Sequence, residues 1–472
     1  MRKLLSTILT LVSLAALAVN PRPPNIVVIV ADDLGWADLG AYGSTFHQTP
    51  RLDRLAREGL RFSNAYAACP VCSPTRAALL TGRYPPRVGI TDYIGGQRAG
   101  RLRPAPYLDH LPLEETTVAD AFQEAGYLTA FMGKWHLGGT NFYPTKNGFD
   151  VNIAGSAQGH PPSYFSPYKI PTLSDGPAGE YLTDRLTDEA VRFIATNRSR
   201  PFLLWLSHYA VHTPLQAKPA LLEKYRATLT QLPPAGDAEF RPEGERRDRR
   251  LQRVPVYAAM LESLDQSVGR IGDALAQAGL EERTIIVFTS DNGGLSTSEG
   301  SPTSNAPLRA GKGWLYEGGV RVPLLVKWPG VTKPGGTTDT PAISTDIFPT
   351  LLEAASLPAR PLAHVDGVSL VPVLRGGPLP ARPFFWHYPH YGNQGGAPAG
   401  SVREGDWKLI EWFEDNRVEL FNLKTDFVEQ NNLAGKETEK VKALQARLAQ
   451  WRRDVGARMP TPNPEQPGAR EK

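Results

Sequence analysis

Residues Asn25-Ile26-Val27-Val28-Ile29-Val30-Ala31 form an unbroken apolar run rich in β-branched side chains. A half-exposed strand would alternate apolar and polar residues. A run without alternation suits a strand covered on both faces, as in a parallel sheet. Three more runs repeat the texture: Leu128–Met132, Pro201–Ser207 and Thr284–Thr289. Helical stretches separate them, at Thr49 to Gly59, Thr117 to Gly126, Tyr181 to Ala195 and Val256 to Gly279, as crossover connections require. A shorter strand is expected at Arg61 to Ala65, and another apolar run covers Leu324 to Trp328. The pattern predicts an α/β fold with a large mixed, mostly parallel sheet flanked by helices.

Each of the four buried runs empties into polar residues. Asp32-Asp33 follow the first, Lys134 and His136 the second, His208 to His212 the third, and Asp291-Asn292 the fourth. One such ending is routine: a carboxylate there can be solvated or cap a helix, and a histidine can be a satisfied structural residue. Four endings in one chain point to one site on the carboxyl edge of one sheet. Asn292-Gly293 is also a hairpin signal. Residues 295 to 307 show no alternating return strand, however, and read as a mobile loop. The irregular stretch Gly148 to Tyr168 either lines a cleft or covers a sheet edge.

The 472 residues suffice for two domains. From about Arg375 short strands alternate with tight turns, at Phe384 to Tyr388, Ser401 to Glu404, Trp407 to Glu411 and Arg417 to Asn422. A smaller C-terminal antiparallel sheet is expected, packed by one helix from about Glu437 to Val455. The expected units are a signal peptide over 1–18, a catalytic domain over 19–375, an α+β subdomain over 376–456 and a disordered tail over 457–472. Arg2 and Lys3, the apolar run Leu4 to Leu17 and the small residues at Ala16-Leu17-Ala18 have the order of a cleavable export signal. Export to the periplasm or the medium, with no membrane span in the mature protein, is the expected location. The balance of 52 basic and 48 acidic residues, net +4, does not point to nucleic acid. Two cysteines make no disulfide scaffold. Six basic and five acidic residues between Asp237 and Arg253 read as a solvated surface.

Cys72-Ser73-Pro74-Thr75-Arg76 continues as Ala77-Ala78-Leu79-Leu80-Thr81-Gly82-Arg83. Pro74 suits the first position of a helix, and Ala-Ala-Leu-Leu propagates one. Cys72 and Ser73 then lie at a helix N-terminus, which favours an anion, with Arg76 one turn away. Three readings stand on these residues alone: a nucleophile beside an anion site, a buried structural thiol, and a pair with Cys69 in Cys69-Pro70-Val71-Cys72.

The pattern Cys-x-Pro-Thr-Arg with its Leu-Leu-Thr-Gly-Arg tail resembles the signature of the type I, formylglycine-dependent sulfatases of the alkaline phosphatase superfamily. The resemblance covers nearly the whole mature chain. It implies an alkaline phosphatase-like fold and conversion of Cys72 to formylglycine by a maturation enzyme. It implies Asp32, Asp33, Asp291 and Asn292 as ligands of one divalent cation, with an oxygen of the converted Cys72 as another. Four oxygen ligands suit calcium, with magnesium the alternative. The implied catalytic set is Cys72, Arg76, Lys134, His136, His212 and Lys312. His212 would protonate the leaving alcohol with Lys312 beside it, and His136 would take the proton that lets sulfate depart. Arg76 and Lys134 would stabilise the aldehyde hydrate and the sulfate. Ser156 and Gln158 both remain open for a further polar contact.

The implied substrate is a sulfate ester on a carbohydrate, with aryl sulfates turned over in assays. Pro383 to Tyr391 with Asn393-Gln394-Gly395 is similar to a segment of sulfatases acting on 4-sulfated galactose or N-acetylgalactosamine. His387 and His390 are its candidate substrate contacts; the other reading makes its aromatics the core of the small sheet. The rivals are a phosphodiesterase or phosphonate monoester hydrolase of the same superfamily, and an inactive protein that binds sulfated glycan.

Overall fold

The computed structural model describes residues 22–465. The export signal expected over 1–18 and the last residues of the tail lie outside them. Nine strands build the central sheet: β1 Asn25–Ala31, β2 Leu60–Tyr66, β3 Leu128–Gly133, β4 Val151–Ile153, β5 Phe202–Ser207, β6 Thr284–Ser290, β7 Arg321–Lys327, β8 Gly336–Thr338 and β9 Ala342–Ile343. Their order is β8-β2-β7-β6-β1-β5-β3-β4, with β9 also on β2. Strand β7 runs antiparallel to both neighbours; all other pairings are parallel.

The helices that position the site are α1 Pro50–Glu58, α2 Cys72–Thr81, α3 Val118–Glu124, α4 Leu182–Thr196, α5 Pro255–Gln277 and α6 Ile347–Ala354. Strand β1 shows why the run at 25–31 carries no polar alternation. Val27, Ile29 and Ala31 pack under α1, α4 and α5. Ile26, Val28 and Val30 pack on the opposite face against α2, α3 and α6. Each valine or isoleucine so buried contributes roughly 1.5–3 kcal/mol.

A second sheet, β10 Phe384–Tyr388, β11 Ala399–Glu404, β12 Trp407–Trp412 and β13 Val418–Asn422, is antiparallel throughout. Helix α7, Thr438–Asp454, packs on it through Leu444, Leu448 and Trp451. The Trp451 ring stacks on Phe385 at 4.8 Å. Buried Lys408 joins this sheet to the larger one, 2.9 Å from both Glu317 and Glu429.

Three expectations need correction. Residues 295 to 307 are not a free loop: Thr303 Oγ1 donates to Asp38, and Asn305 bonds Gly294 and Ala310, so the segment is packed. The tail is not disordered from 457, because Thr461–Pro462 pair with Leu102–Arg103 and Asn463 Nδ2 donates to the Gly100 carbonyl. The charged stretch from Asp237 to Arg253 is not wholly solvated: Phe240–Glu243 and Arg246–Arg249 form a hairpin in which Glu243, Asp248 and Arg249 are buried.

Candidate active site

Strands β6, β1, β5 and β3 are consecutive and parallel. Ser290 pairs with Ala31, Val30 with Ser207, and Ser207 with Gly133. Their carboxyl ends therefore form one edge, and the polar residues beyond them meet. The approach is close: a Cβ on Gly133, whose φ is +103°, would lie 1.8 Å from the Ser207 carbonyl oxygen. The Lys134 amide donates to that oxygen at 2.7 Å.

Asp32, Asp33, Asp291 and Asn292 converge as the sequence suggests, and all are buried. Asp33 takes a left-handed φ of 60°, which short polar side chains tolerate. Its amide donates to Asp291 Oδ1 at 3.2 Å, and Asn292 Nδ2 donates to Asp33 Oδ1 at 2.8 Å. Ligand atoms of Asp32, Asp33 and His212 lie within 4.8 Å of one another. Asp32 Oδ1 and Asn292 Oδ1 are buried without a hydrogen-bond partner. Buried polar atoms seldom stay unpaired. Two orphaned oxygens among clustered carboxylates match the donor set of a hard oxygen-ligated dication. Burial pushes the Asp32 carboxyl up to about 8, against the pull of Lys134. Asp33 is held below the usual range although burial opposes it, because the Lys312 ammonium faces it and Asn292 donates to it.

Helix α2 begins at Cys72, with Val71 as its cap. Pro74 is thus its third residue, not its first; the amide it lacks is still one of those with no helical partner. Cys72 and Cys69 are both free and buried, so they form no disulfide. Burial raises the Cys72 thiol above its ordinary value despite Lys134 and Lys312. Arg76 finds its partners away from the Cys72 side chain: its Nε and Nη2 lie 2.9 and 2.7 Å from Asp291 Oδ2. Its Nη1 donates to the Lys134 carbonyl at 2.9 Å and to Ser207 Oγ at 2.5 Å. Lys134 Nζ donates to Asp32 Oδ2 at 2.7 Å. Arg76 and Lys134 therefore sit beneath the cavity, each bound to a carboxylate.

His136 and His212 face the cavity from opposite loops. His136 Nε2 meets the Ile94 carbonyl at 3.1 Å, which makes Nε2 the donor and leaves Nδ1 to accept from Cys72 Sγ at 3.3 Å. Its φ is 55°, a cost of about 1–2 kcal/mol. The Ser156 carbonyl and the Ser73 hydroxyl hold that backbone. His212 Nδ1 donates to the Thr213 carbonyl at 2.8 Å, and its Nε2 accepts from Lys312 Nζ at 3.0 Å. Lys312 also donates to Asp33 Oδ2 at 2.9 Å. Burial, with Lys134 for His136 and Lys312 for His212, pushes both imidazoles well below their ordinary value, so both are neutral.

Cys72, His136, His212 and Lys312 line a cavity of about 390 Å³ that also meets Tyr93, His160, Glu299, Asn393 and Gln394. Asn393 and Gln394 belong to the segment that resembles sulfatases acting on sulfated sugars, whereas Tyr93, His160 and Glu299 were not singled out by sequence reasoning. His160 lies over His212 with rings 7° from parallel and 6.1 Å apart. Ala157 and His160 line the wall, rather than Ser156 or Gln158. The stretch Gly148 to Tyr168 does both expected jobs, since β4 forms the sheet edge. His387 and His390 do not reach the cavity. His387 is buried with Nε2 on the Arg458 carbonyl, and His390 is buried with Nε2 on Thr91 Oγ1. All five residues of strand β10 are buried, His387 among them, and His390 is buried just beyond its end; of this segment only Asn393 and Gln394 reach the cavity.

Residues 24–357 match the Sulfatase family, and residues 310–454 match the family described as N-sulphoglucosamine sulphohydrolase, C-terminal. The N-acetylgalactosamine-6-sulfatase of Mus musculus is 34% identical over 457 residues, covering 91% of this chain and 80% of its own. Arylsulfatase A of Homo sapiens is 36% identical over 393 residues, covering 81% and 73%. Among solved structures, that of Ps i-CgsB in complex with k-i-k-neocarrahexaose aligns with a TM-score of 0.75 at 29% identity, covering 91% of this chain and 93% of the other. With this fold, this edge of converging carboxylates, lysines and imidazoles, and these relatives, the chain belongs to the sulfatase family and is a sulfuric ester hydrolase.

Proposed function

We propose that this is an exported sulfatase that removes O-sulfate groups from galactose or N-acetylgalactosamine units, using formylglycine made from Cys72 and one divalent cation, calcium. The observation that carries the proposal is one cavity lined by Cys72, two neutral imidazoles and Lys312, beside a carboxylate and a carboxamide with orphaned oxygens. Asp32, Asp33, Asp291 and Asn292 would hold the cation. It would supply positive charge where oxygen loses a proton and where charge develops on sulfate.

A protonated, buried thiol is a poor nucleophile at neutral pH. Cys72 Sγ marks the place of the aldehyde hydrate of the converted residue. That hydrate would supply one hydroxyl oxygen as the nucleophile toward sulfur, displacing the alcohol, and a second hydroxyl whose loss of a proton would let sulfate leave. The departing alcohol needs a proton, and the His212–Lys312 pair lies on the wall of the cavity to deliver it. His136 Nδ1, 3.3 Å from the Cys72 side chain, is free to accept the proton of the second hydroxyl. Arg76 and Lys134 fix Asp291 and Asp32 and set two positive charges beneath the reacting group.

The sugar assignment draws on the relative named N-acetylgalactosamine-6-sulfatase and on the carbohydrate complex of Ps i-CgsB. Residues 1–18 would direct export, and a formylglycine-generating enzyme would act on Cys72. The test is sulfate release, read by ion chromatography, from N-acetylgalactosamine 4-sulfate and 6-sulfate beside a phosphate diester. Release from at least one sugar, lost in Cys72→Ala, is the expected result, and the preferred sugar sets the position. Preference for the diester would overturn the proposal.

A further inference from the structure

Glu299 is an exposed carboxylate on the wall of a cavity otherwise lined with nitrogen donors and neutral groups. It lies in the packed segment between Asn292 and Lys312, with a left-handed φ of 52°. Two groups from distant parts of the chain hold it. Thr213 Oγ1, next to His212, donates to Oε2 at 3.3 Å. Asn393 Nδ2, from the loop after β10, donates to Oε1 at 2.5 Å. Each carboxylate oxygen has two lone-pair sites, so a single donor on each leaves capacity to accept more. The acidic group also adds to the upward shift of Lys312 across the cavity and partly offsets the burial that pushes His160 down.

A carboxylate serves poorly as a contact for sulfate, which is anionic and accepts hydrogen bonds without donating them. A hydroxyl donates to a carboxylate well. We propose that Glu299, positioned by Thr213 and Asn393, is a specificity-determining residue that accepts a hydrogen bond from a free hydroxyl of the sugar and repels a second sulfate at that place. The inference rests on the proposed sulfatase action on sugars. It makes the cavity selective for sugars sulfated once near the reacting position, since like charges at close range oppose binding.

The probes are N-acetylgalactosamine 4-sulfate, 6-sulfate and 4,6-disulfate, with kcat/KM read from released sulfate. Glu299→Gln keeps the shape and an accepting oxygen but removes the charge. Wild type should prefer the better monosulfate over the disulfate by at least tenfold. Glu299→Gln should cut that ratio at least fivefold, chiefly by lowering KM for the disulfate. Asn393→Ala, which frees the carboxylate to move, should raise KM for the monosulfate while the charge still disfavours the disulfate. An unchanged ratio in Glu299→Gln, with wild type active, would overturn this inference alone. A wild type that released no sulfate from any of the three would overturn the underlying reading, and this inference with it.

Discussion

Replacing Arg76 by lysine separates two roles for its charge. The guanidinium makes two contacts to Asp291 Oδ2, one to the Lys134 carbonyl and one to Ser207 Oγ. It does not line the cavity. A lysine keeps the charge but cannot span a carboxylate, a carbonyl and a hydroxyl from one ammonium. Losing two charge-assisted hydrogen bonds at about 1.5–3 kcal/mol each, partly offset by the remaining ion pair, leaves a loss of about 3 kcal/mol. At roughly 2.1 cal/mol/K per residue, the described chain of about 440 residues has an unfolding entropy near 0.9 kcal/mol/K, so Tm falls by about 3 °C. With Asp291 holding the proposed cation, the larger effect should fall there, because removing an outer contact of a metal ligand costs about 10–100-fold in affinity or activity. Calcium titration of sulfate release by chelator-stripped protein should show a midpoint raised at least tenfold in Arg76→Lys. KM for the sulfate ester at saturating calcium should stay within about threefold. An unchanged calcium midpoint with a tenfold rise in KM would refute this reasoning and make Arg76 a direct sulfate contact.

One further prediction concerns a group at the site and another a buried histidine of the small sheet. A Cβ on Gly159 would fall 2.5 Å from His136 Cε1 and 2.7 Å from Nε2, so Gly159→Ala should displace the imidazole from residue 72. Sulfate release should drop by roughly 100-fold, the cost of about 1 Å of misplacement, with Tm nearly unchanged. Burial pushes His387 from its ordinary 6.5 down to about 4 while its Nε2 holds the Arg458 carbonyl. The unfolded chain therefore binds the extra proton first. The stability carried by the neutral ring is whole above pH 6.5 and is lost as pH falls through 4, about 3 kcal/mol in all. Thermal melts across that range should show the loss, and His387→Asn should flatten the curve.

The central fold was legible because burial on both faces leaves a mark in composition. The runs at 25–31, 128–132, 201–207 and 284–289 could be placed without knowing their partners. Their meeting at one edge followed from parallel pairing, so Asp32, Lys134, His212 and Asp291 were recoverable together. Direction was not legible for the run at 324–328, since an apolar strand reads alike both ways, and only tertiary pairing turns β7 against its neighbours. The aim of Arg76 was lost because helical spacing gives a face and not a rotamer. His387 and His390 misled because aromatics with imidazoles look the same in a core as in a sugar site. Glu299 and His160 sit in irregular segments, where no period marks a residue and only contacts between residues distant in sequence bring them to one wall with Asn393.

The most direct test of the account is the mass of the peptide that contains residue 72, from protein made in its natural host. Conversion of the thiol to formylglycine lowers the mass by about 18 Da. The account predicts that shift, with sulfate release proportional to the converted fraction. An unshifted Cys72 peptide from fully active protein would contradict it.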